Sequence, residues 1–299
     1  DCPRLPKRCS TPRSGGSMPK RHVVLTTRQF APCIGGTETS VLELATRLVK
    51  QGHEVSVITL NRNIWTGETL APFDLLDGIA VYRVPYLNLG LRPVAVCNPG
   101  WLFGLLKSAD IIHNHDIRFL FESCLLAKFW FGTPLVIGSH GFILHQKKLG
   151  WLKRAVFRFY YLPLFRFIDC LQAVSLQDFA RVEKALPPEM RVLIPGGVDA
   201  ARFSGLERAP QSGRLLYFGR IDTHKGLDLL FEVLAKLPGT STLRLVYGSA
   251  RDECRRALVS QAERLGIEAR LELVGKLEHA ALCEEIALAQ VVLFPSRYE

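Results

Sequence analysis

Two cations beside the start of a helix are the first feature of this sequence with an evident chemical use. In LLYFGRIDTHKGLDLL, residues 215–230, an apolar strand runs into Gly219, Arg220 and Lys225 follow, and Gly226 opens a new apolar segment with helical spacing. Glycines at such a turn let the backbone approach a ligand, and the unpaired N–H groups of a helix start attract anions. Two fixed cations beside them make a seat for a diphosphate. A solvated, basic strand-to-helix loop has the same composition, so the stretch by itself leaves both readings open.

His140 is the second candidate. It follows the apolar run Leu135–Ile137 and precedes Gly141, which places an imidazole at the carboxyl end of a strand rather than on a helix face. His113 and His115 read as structural histidines. The three together invite a metal-site reading, but no cysteine or carboxylate stands at ligand spacing from them. Gly35 and Gly36 precede a helical pattern, where backbone N–H groups reach an oxyanion or sugar hydroxyl that side chains would otherwise block. An ordinary tight turn fits them as well. Glu38 favours the helix start electrostatically.

These residues need strands and helices to hold them, and the sequence supplies both in alternation. His22–Thr27 reads as the first buried strand. Thr37 or Thr39 is expected to cap a helix with apolar positions Val41, Leu44, Ala45, Leu48 and Val49, which Gly52 ends before a strand at Val55–Leu60. Further strands are expected at 79–84, 111–113, 135–137, 170–174 and 192–194, with helices at 119–131 and from a Ser175 cap to about Leu186; the Pro/Gly-punctuated stretch 85–104 has no clear assignment. A second half reads more cleanly, with strands at 215–218, 243–247, 271–274 and 291–294 and helices at 226–237, 252–265 and 278–289. Such alternation implies parallel sheets covered on both faces, with ligands at the carboxyl ends of the strands. The expected organisation is a disordered leader at 1–17 with Met18 as a natural start, an N-terminal Rossmann-like domain at 18–205 and a C-terminal one at 206–299, facing a cleft.

A net charge of +10 points to an anionic partner without choosing among nucleotide, nucleic acid and acidic membrane. The eight cysteines are scattered singly, away from zinc or redox spacing, and read as mostly buried, reduced thiols of a cytoplasmic protein. No apolar run is long enough to span a membrane, since Glu122 and Lys128 interrupt the greasiest stretch. Residues 146–169 interleave Lys147, Lys148, Lys153, Arg154, Arg158 and Arg166 with many aromatics. That pattern suits an anionic bilayer, giving a peripheral position on the inner face of a membrane. It equally suits aromatics packed inward beneath solvated cations. No nucleic-acid recognition motif accompanies the charge, so no nucleic-acid partner is expected.

With the pieces in order, the chain resembles the large retaining glycosyltransferase family of GT-B fold often called family four, or glycosyl transferases group 1. The resemblance runs from Arg21 to Glu299 and rests on ordered signatures: GGTE at Gly35–Glu38, GHEV at Gly52–Val55, DIIHNH at Asp110–His115, SHG at Ser139–Gly141, AVS at Ala173–Ser175, PGGVD at Pro195–Asp199, FGR…KG at Phe218–Gly226 and FPSRYE at Phe294–Glu299. Any one is weak; the ordered set is specific. Gly196-Gly197 departs from the family's usual Asn-Gly but still permits a tight turn.

The resemblance implies an α/β GT-B enzyme that moves a sugar from a nucleotide-diphosphate donor to a saccharide or lipid-linked acceptor, with no cofactor and no bound metal. It implies that Gly35, Gly36, Gly219, Arg220, Lys225, Ser296 and Glu299 contact the donor and that His140 contacts the transferred sugar. Arg220 and Lys225 then neutralise the leaving diphosphate. In the family the glutamate matching Glu299 is the first of two, seven residues apart; the second lies past the end of this chain, so the resemblance implies an incomplete second domain with weak turnover. Two other readings remain at this stage: a non-catalytic module binding a membrane or protein, and a GT-B nucleotide-sugar epimerase.

Overall fold

The computed structural model describes residues 19–64, 66–88, 93–144, 150–198, 200–203, 205–248 and 252–297. The leader 1–17, Lys147, Lys148, Asp199 and Glu299 lie outside the described residues. The chain divides into two compact units, one ending at Gly197 and one beginning at Val198, within the PGGVD signature.

Strands that are apolar on both sides decide the first unit. β1 (His22–Thr26) and β2 (Glu54–Leu60) are buried along nearly their whole length, so both faces must be covered, as in the middle of a parallel sheet. α1 (Gly36–Lys50) does part of this, turning Val41 and Ala45 onto the sheet. Its N-cap is Gly35, with no side-chain cap, so neither Thr37 nor Thr39 caps it: the helix starts ahead of both threonines. Beyond lie β3 (Phe73–Leu76), β4 (Ile79–Val84), β5 (Tyr86–Asn88) and β6 (Pro93–Ala95), then α2 (Pro99–Ser108). The unassigned stretch 85–104 thus holds a β5–β6 hairpin and a helix start, where Asn98 Oδ1 accepts from Trp101 N at 3.2 Å and Pro99 takes the first helical position.

β7 (Ile111–Asn114), α3 (Phe121–Phe131), β8 (Leu135–Gly138), α4 (Gly150–Val156), α5 (Leu162–Leu164), β9 (Cys170–Ala173), α6 (Leu176–Val182) and β10 (Arg191–Leu193) complete the unit. The sheet order is β10-β9-β8-β7-β1-β2-β4-β3, parallel except for the edge pair β3–β4. The chain leaves β1 in one direction and returns to β7 on its other side, so the strand order reverses between β1 and β7. A crevice forms at the carboxyl ends of strands at such a point.

Between α4 and α5 the helix widens into a π-helical turn, Phe157–Tyr161, just ahead of Pro163, and closes in a 3-10 turn, Phe165–Phe167. Its aromatics divide between the two readings of this segment. Phe157, Tyr161 and Phe165 pack into the core, whereas Trp151, Phe159, Tyr160 and Phe167 are exposed.

The second unit comprises β11 (Arg214–Phe218), α7 (Leu227–Lys236), β12 (Thr242–Val246), α8 (Asp252–Leu265), β13 (Leu271–Val274), α9 (His279–Leu288) and β14 (Val291–Val292). Its sheet runs β13-β12-β11-β14, all parallel, and reverses between β11 and β14. Tyr217, Phe231 and Leu245 are among its fully buried side chains. The polar segment before β11 is tied into this unit: Ala209 N and Gln211 N donate to Ala287 O and Leu288 O at 3.1 and 2.9 Å, and the Phe203 ring meets His279. The Phe203 contact lies ahead of the expected 205/206 join, in keeping with a second unit that begins at Val198.

Of the described cysteines, all free, Cys33 and Cys124 are buried and the other four half-buried, so burial is less general than their apolar surroundings suggest. Among the described residues no helix is long and apolar enough to cross a membrane.

Candidate active site

The reversal between β1 and β7 gathers the first cluster. Past β1 come Thr27 and Arg28, past β7 come His115 and Asp116, and past β8 comes the loop Ser139–Gly141. With Glu38 of α1 and Arg118 they line a polar recess of about 50 Å³. His140 faces this recess. Its backbone sits at φ 36°, a left-handed conformation that costs a non-glycine residue about 1–3 kcal/mol.

Asp178, a residue the sequence reading did not single out, holds that strained loop. Its buried Oδ2 accepts from Ser139 Oγ at 2.6 Å and Gly141 N at 2.7 Å, on either side of His140. Arg181 donates to Oδ1 at 2.7 Å and balances the charge. Ser175 Oγ accepts from Asp178 N at 3.1 Å, the expected cap of α6, and Ser139 Oγ in turn accepts from Val174 N. The SHG and AVS signatures are therefore one hydrogen-bonded assembly.

His115, read from sequence as structural, lies against the candidate itself: its Nδ1 is 3.0 Å from His140 Nε2. His113 stacks behind, ring centroids 3.9 Å apart. A Cβ on Gly138 would come within 3.0 Å of His115 Nδ1 and 3.3 Å of His140, so the glycine makes room for the imidazole pair. Burial, and then the neighbouring His140, lower the His113 pKa to about 3; burial, His113 and His140 together hold His115 well below its ordinary value.

Asp116 carries the opposite balance. Burial pushes its carboxyl up, but the Arg118 charge and hydrogen bonds, with Arg28 beyond them, bring it down to about 2. Arg118 Nε and Nη2 grip its two oxygens at 2.8 and 2.7 Å, and Arg28 Nε stands 3.5 Å away. Gly35 serves a close approach: a Cβ there would lie 2.2 Å from Glu38 Oε2, so the glycine lets this carboxylate fold over the start of α1. Gly36 faces open space, with nothing within 4 Å of where its Cβ would be.

The second unit builds its cluster at its own reversal, past β11 and β14. Gly219 takes φ 149°, and buried Tyr217 donates its hydroxyl to Arg220 O at 2.9 Å, anchoring the loop from below. A 3-10 turn, Thr223–Lys225, leads to Gly226 at φ 66°. A Cβ on Gly226 would lie 2.3 Å from Pro295 O, so the strand-end segment carrying Ser296 can press onto this turn. Arg297 straps the two together: its N donates to His224 O at 2.9 Å, Nη1 to Thr223 O at 3.0 Å, and Nη2 to the Asp228 carboxylate. Arg220 and Lys225, both half-buried, stand in the loop that leads from β11 to the uncapped start of α7.

Of the sequence candidates, Gly35, Gly36 and His140 belong to the first cluster and Gly219, Arg220, Lys225 and Ser296 to the second. Among the described residues no group of three His, Cys, Asp or Glu is placed to hold a metal ion.

Parallel α/β sheets with polar clusters at their switch points are the architecture of GT-B glycosyltransferases. Solved structures agree on the fold: a glycosyltransferase from Rickettsia africae (TM-score 0.67, 17% identity, 93% of this chain and 73% of that one) and Anabaena HepE in complex with UDP-glucose (TM-score 0.63, 18% identity, 92% and 74%). Residues 34–202 match Glycosyltransferase Family 4, and residues 176–299 match Glycosyl transferases group 1. A GDP-mannose:cellobiosyl-diphosphopolyprenol alpha-mannosyltransferase of Xanthomonas campestris is 30% identical over 283 residues, 93% of this chain and 73% of the relative. A Komagataeibacter xylinus protein of the same name is 28% identical, over 85% of this chain and 64% of its own length. The chain belongs to the family-four, group 1 glycosyltransferases and is an enzyme of hexosyltransferase type.

Three outcomes test this geometry. An unfolded imidazole takes its proton near pH ~6.5, whereas folded His113 resists until about 3; the unfolded state therefore binds more protons between those values. Stability should be full above roughly pH 7 and fall on acidification below about 6.5, by about 1.4 kcal/mol per pH unit for His113. Urea melts across that range should show the slope, and His113→Phe should remove its share while the share of His115 remains. Asp178→Ala, which strands a buried hydroxyl, a backbone N–H and Arg181, should cost about 3–5 kcal/mol in the same melts. Gly226→Ala should lower the thermal midpoint and weaken nucleotide binding together, because the methyl meets Pro295 O and the left-handed backbone adds about 1–2 kcal/mol.

Proposed function

We propose that the chain moves a hexosyl group from a nucleoside-diphosphate sugar to a hydroxyl of a saccharide carried on a lipid diphosphate, with retention of anomeric configuration and without a metal or other cofactor. The observation that carries this reading is the loop after β11, where Arg220 and Lys225 precede an uncapped helix start and Gly219 and Gly226 take positive φ. The relatives' names support it, since they specify GDP-mannose donors and diphosphopolyprenol-linked acceptors, and HepE was solved with UDP-glucose.

In this reaction the bond between the anomeric carbon and the diphosphate oxygen breaks, and negative charge grows on the leaving diphosphate. Arg220, Lys225 and the α7 N–H groups meet that charge where it develops. The leaving oxygen takes the acceptor hydroxyl's proton as the new carbon–oxygen bond forms on the same face of the sugar. His140 contacts the transferred sugar, Gly35 and Gly36 admit the donor, and Ser296 and Glu299 hold its remainder; these roles rest on the family resemblance. A peripheral position at the cytoplasmic face of a membrane is the companion proposal, supported by exposed Trp151, Phe159, Tyr160 and Phe167 beside exposed Arg154, Arg158 and Arg166. The proposal includes no nucleic-acid partner.

Arg220→Ala and Lys225→Ala should each lower kcat about a hundredfold or more, equivalent to roughly 3 kcal/mol of transition-state stabilisation. A panel of nucleotide sugars with a lipid-linked disaccharide acceptor supplies the assay. Undiminished turnover in both variants would remove the diphosphate role.

A further inference from the structure

Beside the polar recess lies a larger hollow that the transfer chemistry does not use. It measures about 300 Å³ and is walled by Val94 and Ala95 of β6, Leu102 and Phe103 of α2, and Leu120 before α3. Arg118 stands at its polar end and also lines the recess that contains His140. One guanidinium is thus the shared wall of an apolar groove and a polar pocket. Arg118 commits Nε and Nη2 to Asp116, and among the described residues its Nη1 makes no hydrogen bond. The acids nearby are Asp116, Glu38 and Glu122; Glu122 accepts from Tyr160 Oη at 2.8 Å, and Lys153 is a cation whose pKa burial, and then the Arg118 charge, lowers.

The groove also continues outward. Phe103 packs against Trp130 at 5.0 Å and Phe131 at 6.5 Å, and Trp130 is 62% exposed. Phe129 of α3 and Phe167 of the 3-10 turn after α5 form a second exposed ring pair, 5.5 Å apart. Aromatics in such positions sit at the headgroup level of a bilayer.

An apolar wall, a guanidinium and a polar pocket follow one another in the order of the parts of a lipid-diphosphate saccharide. We propose that the groove between the β5–β6 hairpin, α2 and the start of α3 receives the diphosphate-proximal isoprene units of a polyprenyl-diphosphate-linked acceptor, with Arg118 on the diphosphate. The inference rests on the transferase reading and adds the site of the acceptor's lipid. It commits the groove to an isoprenoid chain rather than to a second copy of this protein.

Farnesyl diphosphate is a soluble probe of both features, and inorganic diphosphate is the same anion without the chain. By calorimetry, the full chain should bind farnesyl diphosphate at least about tenfold more tightly, from the apolar area covered in the groove. A benzophenone-bearing farnesyl diphosphate should cross-link within 94–103 and 118–123. Ala95→Phe, which fills the groove, and Val94→Glu, which charges its rim, should each abolish the farnesyl advantage and leave the affinity for inorganic diphosphate in place. Leu176→Ser, on α6, should retain the advantage, and thermal melts report folding for every variant. Equal affinities of the two probes, cross-links elsewhere, or a farnesyl advantage that survives in a folded groove variant would overturn the proposal. So would sedimentation showing a dimer that Ala95→Phe dissociates. Loss of the transferase reading has a different signature, no hexosyl transfer by the unmodified chain from any nucleotide sugar of the panel, which none of these binding measurements can produce.

Discussion

The buried carboxylate of Asp178 fixes the geometry on which the first cluster depends. A charge removed from water must be met on every side, and here the partners that meet it are the two residues bracketing His140 and the guanidinium of Arg181. The same bonds hold His140 at a φ it would not adopt alone. α6 is short, yet its first turn does two tasks: Ser175 caps it, and Asp178 reaches from it to the loop after β8. Local helix capping and the placement of a distant imidazole are therefore a single constraint.

The second unit reaches a comparable result with backbone rather than charge. Gly226 has no Cβ where Pro295 O approaches, and Arg297 closes the contact with bonds to Thr223, His224 and Asp228. Arg220 and Lys225 are carried on a turn held from beneath by Tyr217 and from above by the segment after β14. The strap consumes Asp228, the acid of the α7 first turn, in an ion pair. The helix start keeps its own positive end after the Arg220 and Lys225 cations of the loop.

Much of this was legible in the residues. The strand and helix segments on both sides of Ser175 and Gly226 follow from period and punctuation, because buried parallel strands and amphipathic helices leave plain patterns. Stretch 85–104 resisted because its hairpin strands are three residues each and its helix begins with a proline. Thr37 and Thr39 misled because a glycine caps α1 without a side chain. Asp178 and Arg297 were not singled out, although one sits in a legible capping pattern and the other in a family signature. Their roles are long-range: Ser139 and Gly141 for Asp178, and Thr223 and Asp228 for Arg297, are far away in sequence, and no spacing rule carries that information. His115 was set aside for a related reason, since only the fold brings β7 and β8 side by side.

The histidine pair then assigns a tautomer. His115 is neutral, so it carries one proton, and its Nε2 is buried without a hydrogen-bond partner. If the proton were on Nε2, a buried N–H would be orphaned, a rare and costly arrangement. With the proton on Nδ1, His115 donates across the 3.0 Å contact to His140 Nε2, and the orphaned atom is a lone pair. His140 Nε2 is then an occupied acceptor, and the hydrogen that neutral His140 carries is on Nδ1. A base needs a vacant lone pair aimed at the proton it removes. In the proposed transfer His140 therefore acts as a hydrogen-bond donor to the sugar, and the acceptor's proton has to leave by another route, which a departing diphosphate oxygen supplies.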